Sequence, residues 1–155
     1  MTDGVEDSDD ALRRQTLELA QRYQAFLGEG RLDEWISLWH DEAILEFPYA
    51  PAGRAGSYHG KEAILAYMTA ASGRIATDGI DELRVHETAD PRVLIVELAS
   101  RGHLVGSGAR YDQRYVCLFE LRDGLLWRYR EYWNPLVSMD AYGGLDEWLD
   151  GLATS

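Results

Sequence analysis

Leu125, Trp127, Tyr129, Glu131 and Trp133 alternate along one face of an apolar run, and Leu126, Arg128, Arg130 and Tyr132 alternate along the other. The aromatic face is expected to point inward. A carboxyl held among rings loses hydration, its charged form is penalised, and its pKa rises toward the range where an acid or base works at neutral pH. Glu131 is therefore the first candidate for proton transfer. By the same parity Arg128 and Arg130 lie on the opposite face and do not neutralise it. Trp127, Tyr129 and Trp133 are expected to hold a flat or polycyclic ligand beside it. Tyr23 and Tyr67 lie on helical apolar stripes, where their phenols could donate to a developing enolate or phenolate.

The remaining chemistry-bearing residues point less far. His103 lies at a strand end beside Gly102 and could shuttle protons within the pocket. Cys117 is the only cysteine of the chain, which excludes an internal disulfide, and with no base in its strand it reads as pocket wall rather than nucleophile. His40, His59 and His86 form no ligand spacing, so no metal is expected. Phosphate loops, GxSxG elbows and Ser/His/Asp sets are absent, and no cofactor is expected.

These side chains need elements to position them. Ala11 to Leu27 repeats apolar residues at helical spacing after Ser8, and Leu32, Trp35, Ile36 and Trp39 predict a second helix closing near Asp41. Trp35 and Trp39 are expected to pack this hairpin. Ala43 to Phe47 reads as a short strand, Tyr49 to Tyr58 as a mobile loop, and Gly60 as the start of a third helix. Beyond Gly79 the chain reads as sheet: Ile80 to Glu87, Arg92 to Arg101, Tyr111 to Leu121 and Leu125 to Trp133, the last two joined by Asp123-Gly124. Helices followed by antiparallel strands indicate an α+β fold, a cone-shaped curved antiparallel sheet wrapped around three N-terminal helices. Residues 1–10 are expected to be a disordered acidic terminus, 11–143 a single domain and 144–155 a tail.

At 155 residues there is room for one domain, and 5 Trp, 9 Tyr and 3 Phe within a 46% hydrophobic composition suffice for a lined core. A net charge of −12, from 15 basic and 27 acidic residues, repels phosphate backbones and anionic bilayers. Nucleic acid and membrane are excluded as expected partners. With no signal-peptide pattern and no apolar span, a cytoplasmic location is expected.

Several segments resemble a known superfamily. Gln21-Arg22-Tyr23, Gly30-Arg31-Leu32-Asp33, Leu38-Trp39-His40-Asp41-Glu42-Ala43 and Leu45-Glu46-Phe47-Pro48 resemble the opening of the SnoaL-like and ketosteroid isomerase-like proteins, also called nuclear transport factor 2-like. Tyr58-His59-Gly60-Lys61-Glu62-Ala63-Ile64 is similar to the start of their third helix. Val85 to Pro91, Phe119 to Gly124 and Arg130-Glu131-Tyr132-Trp133-Asn134-Pro135 most resemble the phenazine-biosynthesis PhzA/PhzB proteins.

The resemblance implies a cystatin-like α+β barrel that dimerises through its outer sheet face. It places Tyr23 on the family's oxyanion tyrosine and Glu131 on the PhzA/PhzB acid/base glutamate. Phe47 and Cys117 stand where a ketosteroid isomerase has its base and its protonated acid, and Tyr67 stands where PhzA/PhzB have a histidine. The expected function is a cofactor-independent enzyme, of secondary-metabolite biosynthesis, that cyclises, isomerises or condenses a hydrophobic small molecule. Glu131, Tyr23 and Tyr67 would be catalytic, and Phe47, Trp127, Tyr129, Trp133, Cys117 and His103 substrate-binding. A non-catalytic binding module and an epoxide-opening enzyme remain as alternatives within the same fold.

Overall fold

A computed structural model describes residues 3–153. Six strands, β1 (Trp39–Glu46), β2 (Ser57–His59), β3 (Ile75–Glu87), β4 (Val93–Leu104), β5 (Gln113–Arg122) and β6 (Leu125–Trp133), form one sheet in the order β2-β1-β6-β5-β4-β3. The sheet curves without closing. Helices α1 (Asp3–Gly28), α2 (Leu32–Ser37) and α3 (Lys61–Ser72) precede or interrupt it, and α4 (Pro135–Tyr142) and α5 (Leu145–Ala153) follow. This is the α+β cone indicated by the order of helices and strands. One joint differs from the antiparallel expectation, because β1 runs parallel to β6, with Leu45 opposite Tyr129.

Helix α1 buries Thr16, Leu19, Ala20 and Tyr23, a stripe at helical spacing. Arg13 ties it to the β3–β4 turn by donating to the Thr88 carbonyl at 2.7 Å, and the Thr16 hydroxyl reaches the Pro91 carbonyl at 2.8 Å. The helix begins at Asp3, so the described part of the acidic terminus is helical, not loose. A charged run signals solvation, and a helix with one wet side satisfies that as well as coil does. Met1 and Thr2 lie outside the described residues.

Helix α2 stops at Ser37, short of the expected Asp41, because the Leu38 carbonyl accepts from Leu126 N–H at 2.8 Å and Trp39 pairs with Leu126 in the sheet. Short apolar runs fit helix and strand alike, and sheet pairing decides this one. The β5–β6 hairpin forms as the sequence indicates: Asp123 and Gly124 have φ of 53° and 75°, the positive values a two-residue type I′ turn demands. The C-terminal segment is a further correction. Instead of a tail, Asn134 caps α4 by accepting from Leu136 N–H at 3.0 Å, Gly143 ends it at φ 90°, and α5 follows, burying Trp148.

Candidate functional site

Along β6, Tyr129 and Trp133 are buried and Glu131 lies between them, half-buried, on the same face. Two aromatic clusters meet there. Tyr129 stacks on Tyr23 with centroids 5.0 Å apart and meets Phe119 edge-on at 4.9 Å, with Trp35 and Trp39 packed behind Tyr23. Beyond Glu131, Phe47 contacts Tyr67 at 5.1 Å and Trp133 at 6.1 Å, Tyr58 stacks on Tyr67 at 4.5 Å, and Trp133 meets Trp148 at 5.8 Å.

Glu131 accepts one side-chain hydrogen bond, from Tyr129 Oη to Oε2 at 2.9 Å. Loss of hydration pushes its carboxyl up to about 7, although the Tyr129 bond and the Arg54 charge pull the other way. At neutral pH such a group is divided between acid and carboxylate and can take up or release a proton. Arg128 and Arg130 do lie away from it, against Glu46 on the opposite face. Arg128 makes a two-pronged bond to Glu46 at 2.9 and 3.0 Å, which holds that carboxyl below its usual range.

The direct partner of Glu131 is thus Tyr129 rather than Tyr23, which is fully buried behind it. Tyr67 stands on the other side, accepting a 3.3 Å hydrogen bond from Arg54. Burial pushes the Tyr23, Tyr67 and Tyr129 phenols up, so all three stay neutral donors. Cys117 pairs with Glu131 in the β5–β6 register, buried, its thiol also pushed up by burial, which suits wall better than nucleophile. Phe47 is buried in the second cluster.

Two expected residues are elsewhere. Strand parity placed Trp127 inward, but the β5–β6 register shifts between Glu120 and Leu121, so Phe119 pairs with Tyr129 while Leu121 pairs with Leu126. This bulge turns the alternation: Leu126 is buried and Trp127 is half-exposed beneath the Arg122 guanidinium, 5.5 Å from its ring centre. His103 lies toward the β3 edge, its Nδ1 3.0 Å from Asp78, with 40% of its side chain exposed. Neither residue joins the constellation around Glu131.

Arg54 and Trp148 were missed by the sequence reading. Arg54 comes from the β1–β2 loop and lies over Trp133, Trp148 and Phe47, at 5.2, 5.3 and 5.9 Å from the ring centres. The loop leans on α5, since a Cβ built at Gly53 would come within 3.3 Å of Leu149. Tyr115, half-buried opposite Trp133, is a further phenol near Glu131, and loss of hydration, then the Glu131 charge, push its pKa up. Among the described residues no group of three or more His, Cys, Asp or Glu could hold a metal, and no helix is long and apolar enough to cross a membrane.

This arrangement sits in a fold with many relatives. The chain belongs to the SnoaL-like domain family, whose profile matches residues 20–129. It is 37% identical over 127 residues to the uncharacterized protein YesE of Bacillus subtilis, covering 82% of this chain and 86% of the relative. It is also 37% identical over 120 residues to the uncharacterized PhzA/B-like protein PA3332 of Pseudomonas aeruginosa, covering 77% and 84%. A crystal structure from Bacillus subtilis, provisionally described as an isomerase, superposes with a TM-score of 0.80 at 36% identity, covering 85% of this chain and 95% of that one. The family resemblance read from the motifs is thereby shown.

Proposed function

We propose that the chain is a cofactor-independent enzyme that moves a proton on a hydrophobic small molecule, in a cyclisation, isomerisation or condensation. The observation that carries this reading is Glu131 itself, a carboxyl between two aromatic clusters with one side-chain hydrogen bond and a pKa of about 7. Glu131 takes the proton from an acidic carbon or returns it, and Tyr129 steadies the carboxylate as it forms. Tyr67 and Tyr115 are neutral phenols able to donate to an oxyanion on the substrate, while Tyr23 holds Tyr129 from behind. A place in secondary metabolism accords with the PhzA/B-like relative.

A carbon-13 titration of the glutamate carboxylates, with Glu131→Gln to assign the resonance, tests the reading without a substrate. The expected midpoint for Glu131 is about 7. A midpoint in the ordinary range near 4.3 would mean a solvated or ion-paired group, and a binding module would then be the better reading.

The outer sheet face completes the proposal. On that face Val116 of β5 is exposed beside a groove of about 480 Å³ lined by Arg84, Glu97, Arg114 and Tyr132. We assign this face to a homodimer, as the family resemblance implies. Sedimentation equilibrium is expected to give the mass of two chains, and the mass of one would remove this part of the proposal.

A further inference from the structure

Arg54 differs from the other arginines of this acidic chain in standing over three aromatic rings. Arg101 is bound to Asp81 at 2.8 Å and Arg128 to Glu46 at 2.9 Å, but Arg54 has no carboxylate within ion-pairing distance among the described residues. Its one polar contact is the 3.3 Å hydrogen bond to Tyr67 Oη. Phe47, Trp133 and Trp148 stand around the half-buried guanidinium without supplying an acceptor. A guanidinium has five N–H donors in a planar fork, and with one hydrogen bond made, most of this fork stays open to a ligand.

A second cation adds to this. Arg74 follows α3, and its Nε is buried without a hydrogen-bond partner. The charges of Arg74 and Arg54 both act on the phenol of Tyr142, in the helix that follows Glu131's own strand. When Glu131 is protonated, neither guanidinium has a carboxylate within ion-pairing distance among the described residues.

We propose that Arg54 is the anchor for a carboxylate carried by the substrate, so that the site takes ring-bearing, hydrophobic carboxylic acids as their anions. The planar fork matches a carboxylate bidentately, and the flanking rings accept the apolar body to which it is attached. This inference rests on the reading of Glu131 as the reacting group, since it places the ligand's carboxylate on one side and the reacting carbon toward Glu131. Arg54 is then a specificity-determining residue.

The test is calorimetric titration of the full chain with 2-naphthoate and with its neutral isostere 2-naphthamide. Naphthoate is expected to bind about tenfold tighter than the amide or better, as a charge-assisted hydrogen-bond pair provides. Arg54→Met should weaken naphthoate by a similar factor and leave the amide unchanged. Arg54→Lys keeps the charge but not the fork and should fall between, which guards against a fold defect in the first variant. Equal affinities for acid and amide, naphthoate binding indifferent to Arg54→Met, or no naphthoate binding at all would each overturn the proposal. Glu131→Gln should retain naphthoate binding. A Glu131 titrating in the ordinary range with acid-over-amide preference intact therefore removes the acid/base reading alone, and the reverse pattern removes the anchor alone.

Discussion

Glu131→Gln is expected to make the protein more stable at pH 8 while abolishing most of its turnover. The folded-state pKa of Glu131 is raised from 4.5 to about 7, so between these values the native chain keeps a proton that the unfolded chain has lost. Native stability from this group is complete below about 4.5, falls as the pH rises toward 7, and is flat above it. Above pH 7 the ionised carboxyl costs about 2–3 kcal/mol, allowing for its partial exposure. Gln is nearly isosteric, can still accept from Tyr129, and never ionises. Thermal melts of the two proteins should therefore coincide near pH 4.5 and diverge at pH 8, the variant melting higher by roughly 5–10 °C for a chain of this size. Glu46, Asp90 and Asp112, whose arginine partners hold them low, lose stability in acid in both proteins alike, so the comparison cancels them. Turnover of an accepted substrate should fall by about 10²–10⁴, the usual contribution of a positioned proton-transfer group. Coincident melts at pH 8 would show that Glu131 is hydrated in the native state.

Much of this site was legible in the sequence, because a strand's period of two is local information. Tyr129, Glu131 and Trp133 share a face on that basis alone, and Asp123-Gly124 sets the hairpin that aligns Glu131 with Cys117. The same rule fails at Trp127, where a bulge adds a residue and reverses the faces. A bulge depends on the partner strand and leaves no mark in one strand's pattern. Trp39 shows a related limit. Its spacing from Trp35 fits a helix, and only the Leu126 amide, far along the chain, claims it for the sheet. Arg54 carried no signal, since a Pro/Gly-rich loop has no period from which to infer direction. The C-terminal helix was a signal left unread: Leu145, Trp148, Leu149 and Leu152 recur at helical spacing after Gly143-Gly144.

That helix carries the second large expectation, for Trp148→Ala. Trp148 is 1% exposed, meets Trp133 at 5.8 Å, and forms one wall of the cage around Arg54. Removing a buried tryptophan commonly costs about 3–5 kcal/mol, a large share of a domain's stability. Here the loss need not spread through the whole fold. Helix α5 has 9 residues, too few to persist undocked, and Trp148 is fully buried among its described side chains. Release of α5 is thus cheaper than keeping it docked over a cavity, and the damage should stay local. Hydrogen exchange in Trp148→Ala is expected to speed up in α5 and in residues 50–56, whose Gly53 rests on Leu149, and to stay slow in β5 and β6. Arg54 would lose one of its three rings and its fixed position, so naphthoate affinity should fall together with the protection of that loop. Uniform acceleration across the sheet would mean that Trp148 supports the core at large, and unchanged exchange in α5 would mean that other contacts hold the helix. Local release instead makes α5 and the Arg54 loop one unit, joined by Gly53 against Leu149 and Arg54 over Trp148.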